Sequence, residues 1–204
     1  NGLSMVTLYY MNRYAAFLEE LLCNQQGTVA LSSEVADWLV QTLKAFEQFN
    51  VTSLNSITRK QLLNALGIVA DNYRQQVYQH GFSGTVTLEI GKLLEFLAIT
   101  RTWLAQSIKA NKRADGLYES YNIGLHQGDT LRVEQLAEML EGQVAALSSG
   151  ALDADESLLL LEQLYDSGMY RADQDTFTLY PDRDLPGFML KNQISTGQVA
   201  SSPW

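Results

Sequence analysis

Apolar positions recur every three or four residues along most of this chain, the spacing that gathers them on one face of a helix. From Leu3 to Asn24 the stripe is Tyr10, Tyr14, Phe17, Leu18, Leu21 and Leu22, and Gly27 stops it. Ser32 or Ser33 can cap a second helix, with Glu34 and Asp37 at its positive end. Its inward residues are Val35, Trp38 or Leu39, Thr42, Leu43, Phe46 and Phe49. A third helix starts near Ser56, carries Leu62, Leu63, Leu66, Val69, Ala70, Tyr73 and Val77, and ends at His80-Gly81. Thr87 caps a fourth, with Leu88, Leu94, Leu97, Trp103 or Leu104, and Ile108 inward and Lys109 and Lys112 in its last turn. A fifth runs from Asp129 or Thr130 to Leu147 and is closed by Gly150. Asp153 and Glu156 frame a capping box for a sixth, which passes through Leu158 to Tyr165 and stops at Gly168.

Six helices with short connections predict an all-α fold, an antiparallel α-hairpin array or bundle with an irregular C-terminal segment. In that segment Thr176 to Tyr180 alternates like a strand without an evident partner, and Pro186 can open a short helix to Lys191. Residues 1–192 therefore read as one helical domain and 193–204 as a tail or strap. The chain begins Asn1-Gly2-Leu3 and closes on Ser-Ser-Pro-Trp, so it reads as a piece of a longer protein.

Charge and composition narrow the partners. Fourteen Lys and Arg against 23 Asp and Glu leave a net charge of -9, which opposes non-specific binding to nucleic acid. No apolar run approaches the ~20 residues needed to span a bilayer, so no membrane partner is expected. Cys23 is the only cysteine, which excludes an intramolecular disulfide and favours a reducing, cytoplasmic setting. Within its apolar stretch it reads as inert packing. His80 and His126 have no ligand partner at metal-site spacing, and no metal or other cofactor is expected.

Candidate chemistry concentrates in Lys109 to Asn122, where three cations, two acids, two amides and two tyrosines follow a helix. Tyr118, Tyr121 and Asn122, beside Arg113 and Asp115, offer ring faces for C–H surfaces and polar groups for hydroxyls, which suits a polyhydroxylated ligand. The same residues also read as a helix end with buried tyrosines and an Arg113–Asp115 pair. Asp115 with Glu119, and Glu138 with Glu141, are carboxylate pairs of the kind that can cleave a glycosidic bond, although such spacing commonly faces water. A second polar-aromatic group, Tyr170, Arg171, Tyr180 and Arg183, has each Arg between acids and fits an interface or a fixed loop network. Gly142 inside the fifth helix predicts the close approach of another backbone there.

Three runs, Asn111 to Asn122, Met139 to Gly150 and Leu179 to Pro186, together resemble a helical region of long bacterial carbohydrate-active proteins of the α/α-hairpin type, glycoside phosphorylases among them. The resemblance covers roughly residues 73–192 and supplies no catalytic acid or phosphate-site residue. It implies one portion of a larger carbohydrate-active protein, not catalytic alone, with the polar-aromatic loop near an oligosaccharide or a neighbouring domain. The alternative expectation is a protein-protein interaction or scaffold domain without enzymatic activity.

Overall fold

The computed structural model describes residues 2–202; Pro203 and Trp204 of the expected tail lie outside the described residues. In chain order the elements are β1 (Gly2–Ser4), α1 (Met5–Leu22), β2 (Thr28–Ser32), α2 (Ser33–Glu47), α3 (Ser56–His80), β3 (Thr85–Glu89) and α4 (Ile90–Ala110). They continue with β4 (Tyr121–Gln127), β5 (Thr130–Gln135), α5 (Leu140–Ser148), α6 (Ala154–Asp166), β6 (Tyr170–Arg171), β7 (Thr176–Phe177), α7 (Phe188–Lys191) and α8 (Thr196–Ala200). The fold is not all-α: 55% is helical and 16% is strand, in three small antiparallel sheets.

The stretch around Thr87, which reads as a helix start, is strand, paired with a second strand that runs up to the Ser32 cap of α2. Residues 28–32 and 85–89 alternate Thr-Val-Ala-Leu-Ser and Thr-Val-Thr-Leu-Glu, and they pair from Thr28↔Glu89 to Ser32↔Thr85. Thr87 is therefore a ladder residue, and α4 starts after Glu89. The fifth helix is shorter than its apolar pattern suggests. Its first half, from Thr130, is strand β5, which pairs with β4 through a two-residue Gly128-Asp129 turn with Gly128 at φ +55. Glycine at the first turn position matches the twist of two antiparallel strands, which is why this turn closes hairpins. β1 adds to the other edge of β4, giving the order β1-β4-β5. The alternating Thr176 stretch does have a partner, in Tyr170-Arg171.

Other boundaries follow their capping chemistry. The Ser32 hydroxyl accepts from the Val35 N–H at the start of α2, Gly81 ends α3 at φ +72, and Asp153 with Glu156 forms a capping box on α6. α1 packs along α4 through Ala15, Leu97 and Leu104. A second core joins Tyr9 and Ile108 to Leu117, Tyr118, Ala145, Ala146, Leu160, Leu164 and Met169. Trp38 meets Phe96 and Phe46 stacks on Trp103, tying α2 to α4.

Of the expected α1 stripe only Leu18 and Leu22 pack inward, against the core shared with α4. Tyr9, Asn12 and Ala15 are buried, whereas Tyr10, Tyr14, Phe17 and Leu21 face outward. Of the expected α3 stripe, only Leu62 is fully buried. Cys23 is exposed, its thiol donating to the Glu20 carbonyl oxygen, and so it is not core packing. Among the described residues no helix is long and apolar enough to cross a membrane.

Candidate functional site

The segment from Lys109 to Asn122 turns back on itself at the end of α4. Gly116, at φ +84, lets the Arg113–Gly116 turn close, and Lys112 then bridges to Tyr118. The Arg113 N–H donates to the Leu117 carbonyl oxygen at 2.8 Å, and Asp115 Oδ1 accepts from the Leu117 N–H. From Leu117 to Ser120 the returning chain is fully buried.

Burying a backbone obliges every polar group along it to find a partner. Here the partners come from three elements. The Gln143 side chain of α5 accepts from the Tyr118 N–H at 2.8 Å and donates to the Tyr118 carbonyl oxygen at 2.7 Å, doing the work of a neighbouring strand. The Tyr9 hydroxyl donates to the Glu119 carbonyl oxygen at 2.7 Å. The Ser120 carbonyl oxygen receives the Met5 and Val6 N–H groups, which are orphan donors at the start of α1. Gly142 sits directly over Ser120, as the glycine inside this helix predicts.

Arg113 holds the turn electrostatically. Its Nε donates to both Asp115 oxygens, Nη1 to Glu119 Oε1 at 3.1 Å and to the Leu136 carbonyl oxygen, and Nη2 lies 3.5 Å from Glu138. Burial opposes the charge on Arg113, but its bond to Asp115 and the fields of Glu119, Asp115 and Glu138 raise its pKa. Glu119 has no side-chain exposure. Burial pushes its carboxyl above the usual carboxylate range against the pull of Arg113. Three of the four carboxylates considered for glycosidic chemistry are thus committed to one guanidinium. The fourth, Glu141, bonds to the Tyr121 hydroxyl and raises its pKa.

The five candidate ligand residues do not form one pocket. Arg113 and Asp115 face each other across the turn. Tyr118 is 3% exposed, its ring edge-on to Tyr9 at 6.3 Å with the Lys112 ammonium 5.9 Å from its centre, and burial raises its hydroxyl pKa. Tyr121 is half-buried beside Glu141. Asn122 is buried, and its Nδ2 donates to Asn111 Oδ1 at 2.8 Å. Asn111 in turn donates to the Ser107 carbonyl oxygen. The Asn122 Oδ1 atom has no hydrogen-bond partner among the described residues.

Asn122 lines a cavity of about 320 Å³ between the start of α1, the 51–54 loop, the first turn of α3, the end of α4 and the β1-β4-β5 sheet. Trp103 forms part of its wall, with the ring stacked on Phe46 at 5.2 Å and thereby fixed. Thr52, Arg59, Gln106, Ser107 and Asn111 supply polar groups, Leu3, Met5, Leu8, Leu54 and Val133 apolar ones, and none of the described residues that line it carries a carboxylate. Arg59 is oriented by its bond to the Leu131 carbonyl oxygen. The sequence marks Trp103 only as an inward helix position and does not mark Gln106, because both are ordinary positions on an amphipathic helix.

Two other cavities are less suited to a neutral ligand. One of about 570 Å³ borders Tyr118 and Asn12, and its charged groups are partly matched already, Arg101 by Glu19 and Lys112 by Glu156 at 3.6 Å. One of about 370 Å³ lies between α2 and α3 and holds Glu34, Asp37, Trp38 and Tyr73. There the Ser83 hydroxyl and N–H bind Glu34 Oε1 at 2.5 and 2.8 Å and lower its pKa, so this carboxylate fastens the 81–84 turn to α2.

The second polar-aromatic group is a local hairpin. Tyr165, Tyr170 and Phe177 cluster with centroids 4.9 to 5.3 Å apart, the Tyr170 hydroxyl donates to Asp175, and Arg171 forks onto Asp173. The loop beyond it docks on α5, where the Leu140 N–H donates to the Leu179 carbonyl oxygen. Tyr180 and Arg183 are exposed on that loop. Compared with known proteins, the chain matches no family model and no curated protein.

Proposed function

We propose that this chain is a ligand-binding domain of a larger carbohydrate-active protein, without catalysis of its own, and that the Trp103–Asn122 cavity takes part of a neutral oligosaccharide. The supporting observation is that Asn122, whose buried Oδ1 has no partner among the described residues, lines a cavity that also presents the Trp103 indole. An unsatisfied buried acceptor costs roughly 1–3 kcal/mol, and a ligand hydroxyl recovers that loss. The apolar wall suits the C–H face of a sugar ring, and the Gln106 amide with the unpartnered Asn122 oxygen suits its hydroxyls. A cavity of about 320 Å³ falls at the small end of the range for ligand sites. Catalysis by the carboxylates around the turn is disfavoured, because Asp115, Glu119 and Glu138 already share Arg113.

Titration calorimetry against a panel of neutral oligosaccharides tests the proposal. At least one member should bind, and Gln106→Ala should weaken it about tenfold, the effect of one lost hydrogen bond at about 1.4 kcal/mol. A panel without any binder, or a binder indifferent to Gln106, contradicts the assignment.

A further inference from the structure

Among the described residues nothing covers one face of α1. Tyr10, Met11, Tyr14, Phe17 and Leu21 are between 45% and 62% exposed, on the side opposite the buried Tyr9, Asn12 and Ala15. Four of them, Tyr10, Tyr14, Phe17 and Leu21, follow the 4-3-4 spacing of a helix that packs along a second helix. Tyr14 and Phe17 are already stacked with centroids 6.5 Å apart, so the centre of the stripe is ordered before anything binds it.

The charges beside the stripe indicate the occupant. Arg13 and Glu20 flank it on one side, both exposed, and neither forms an ion pair among the described residues. When two copies of α1 pair antiparallel about an axis between residues 15 and 16, Tyr14 faces Phe17 of the second copy and Tyr10 faces its Leu21. The same register brings Arg13 of each copy toward Glu20 of the other, twice over. A parallel pair would place Arg13 beside Leu18 and Glu20 beside Gln25, with no complementarity. Half-exposed side chains of this size present roughly 100 Å² each, so the five of each copy, Met11 included, bury roughly 1,000 Å² when two copies pair. That is the lower edge of a specific interface, which implies a concentration-dependent dimer.

We propose that α1 is a self-association face, pairing antiparallel with α1 of a second copy through Tyr10, Tyr14, Phe17 and Leu21 with reciprocal Arg13–Glu20 contacts. This does not depend on the sugar cavity.

Sedimentation equilibrium over a concentration series reads the association directly. The native chain should approach twice its monomer mass on the order of 100 µM. Tyr14→Glu should abolish the association, with an unchanged unfolding curve showing that the fold is intact. Arg13→Glu and Glu20→Arg should each weaken pairing about tenfold. A mixture of these two single variants should recover it as a heterodimer, because each then supplies the charge the other needs. A native chain that stays monomeric throughout overturns the proposal and leaves the face to a neighbouring domain. A dimer that ignores Tyr14→Glu, or a mixture that fails to recover, also overturns it.

Discussion

Replacing Arg113 with methionine is expected to cost the fold about 3–5 kcal/mol at pH 8, the usual penalty for leaving a buried charge without its partner. Glu119 is that charge: it has no side-chain exposure, its Oε2 atom has no partner among the described residues, and Arg113 is the cation bonded to it. The pH dependence follows from the direction of its pKa. Burial raises the Glu119 pKa above its ordinary value of 4.5 even with Arg113 present. A carboxyl raised on folding binds more protons in the folded state than in the unfolded one. Stability therefore falls as pH rises from the unfolded pKa through the folded one, and is flat beyond both.

Without Arg113 the folded pKa moves higher still, so the fall becomes larger and extends to higher pH. Denaturant unfolding of Arg113→Met at pH 5 and pH 8 should therefore show the smaller loss at pH 5, where protonation of Glu119 removes the unpaired charge. An equal loss at both pH values, or a loss below about 1 kcal/mol, would show that the clamp does not hold the segment.

Gly142→Ala is expected to be nearly as damaging, at about 3 kcal/mol, although alanine is the better helix former by about 1 kcal/mol. An added Cβ would lie 2.1 Å from Ser120 Oγ and 2.9 Å from both Ser120 Cα and Cβ. Rotating the hydroxyl away relieves only the first contact. The Ser120 backbone cannot retreat freely, because its carbonyl oxygen holds the Met5 and Val6 N–H groups. Gly67 provides the control, since it is also helical but its added Cβ meets nothing within 4 Å. Gly67→Ala should be neutral or stabilising by up to about 1 kcal/mol. Equal thermal shifts for the two substitutions would remove the close approach from the explanation.

These two expectations mark how far the sequence could be read. Gly142 was legible because a glycine inside a helical pattern needs a reason, and the Arg113–Asp115 pair was legible because the two are neighbours. Glu138, Glu119 and Gln143 were not legible as partners, since nothing in their spacing says that they converge on one turn. β5 was read as the start of the fifth helix because Leu131, beside the apolar positions further along, fits a helical period, and β4 was not read as a strand at all. The Gly128-Asp129 turn between them was the signal that favoured strands. On α1 the difficulty was different: the helix is apolar on two opposite faces, so periodicity identifies the helix without saying which face is inside. Tyr9 is drawn inward by the Glu119 carbonyl it bonds, and that partner lies far away in sequence.

The Lys109–Asn122 segment is thus mainly architecture, with Asn122 in the lining of the Trp103 cavity. The most direct measurement is side-chain NMR of a uniformly ¹⁵N-labelled chain titrated with the neutral oligosaccharide panel. The Trp103 indole and Asn122 amide signals are expected to move together at one ligand's saturation. The Trp38 indole, in the α2–α3 cavity, should stay fixed. Movement of Trp38 alone, or of neither tryptophan with any member of the panel, would contradict a sugar site at Asn122.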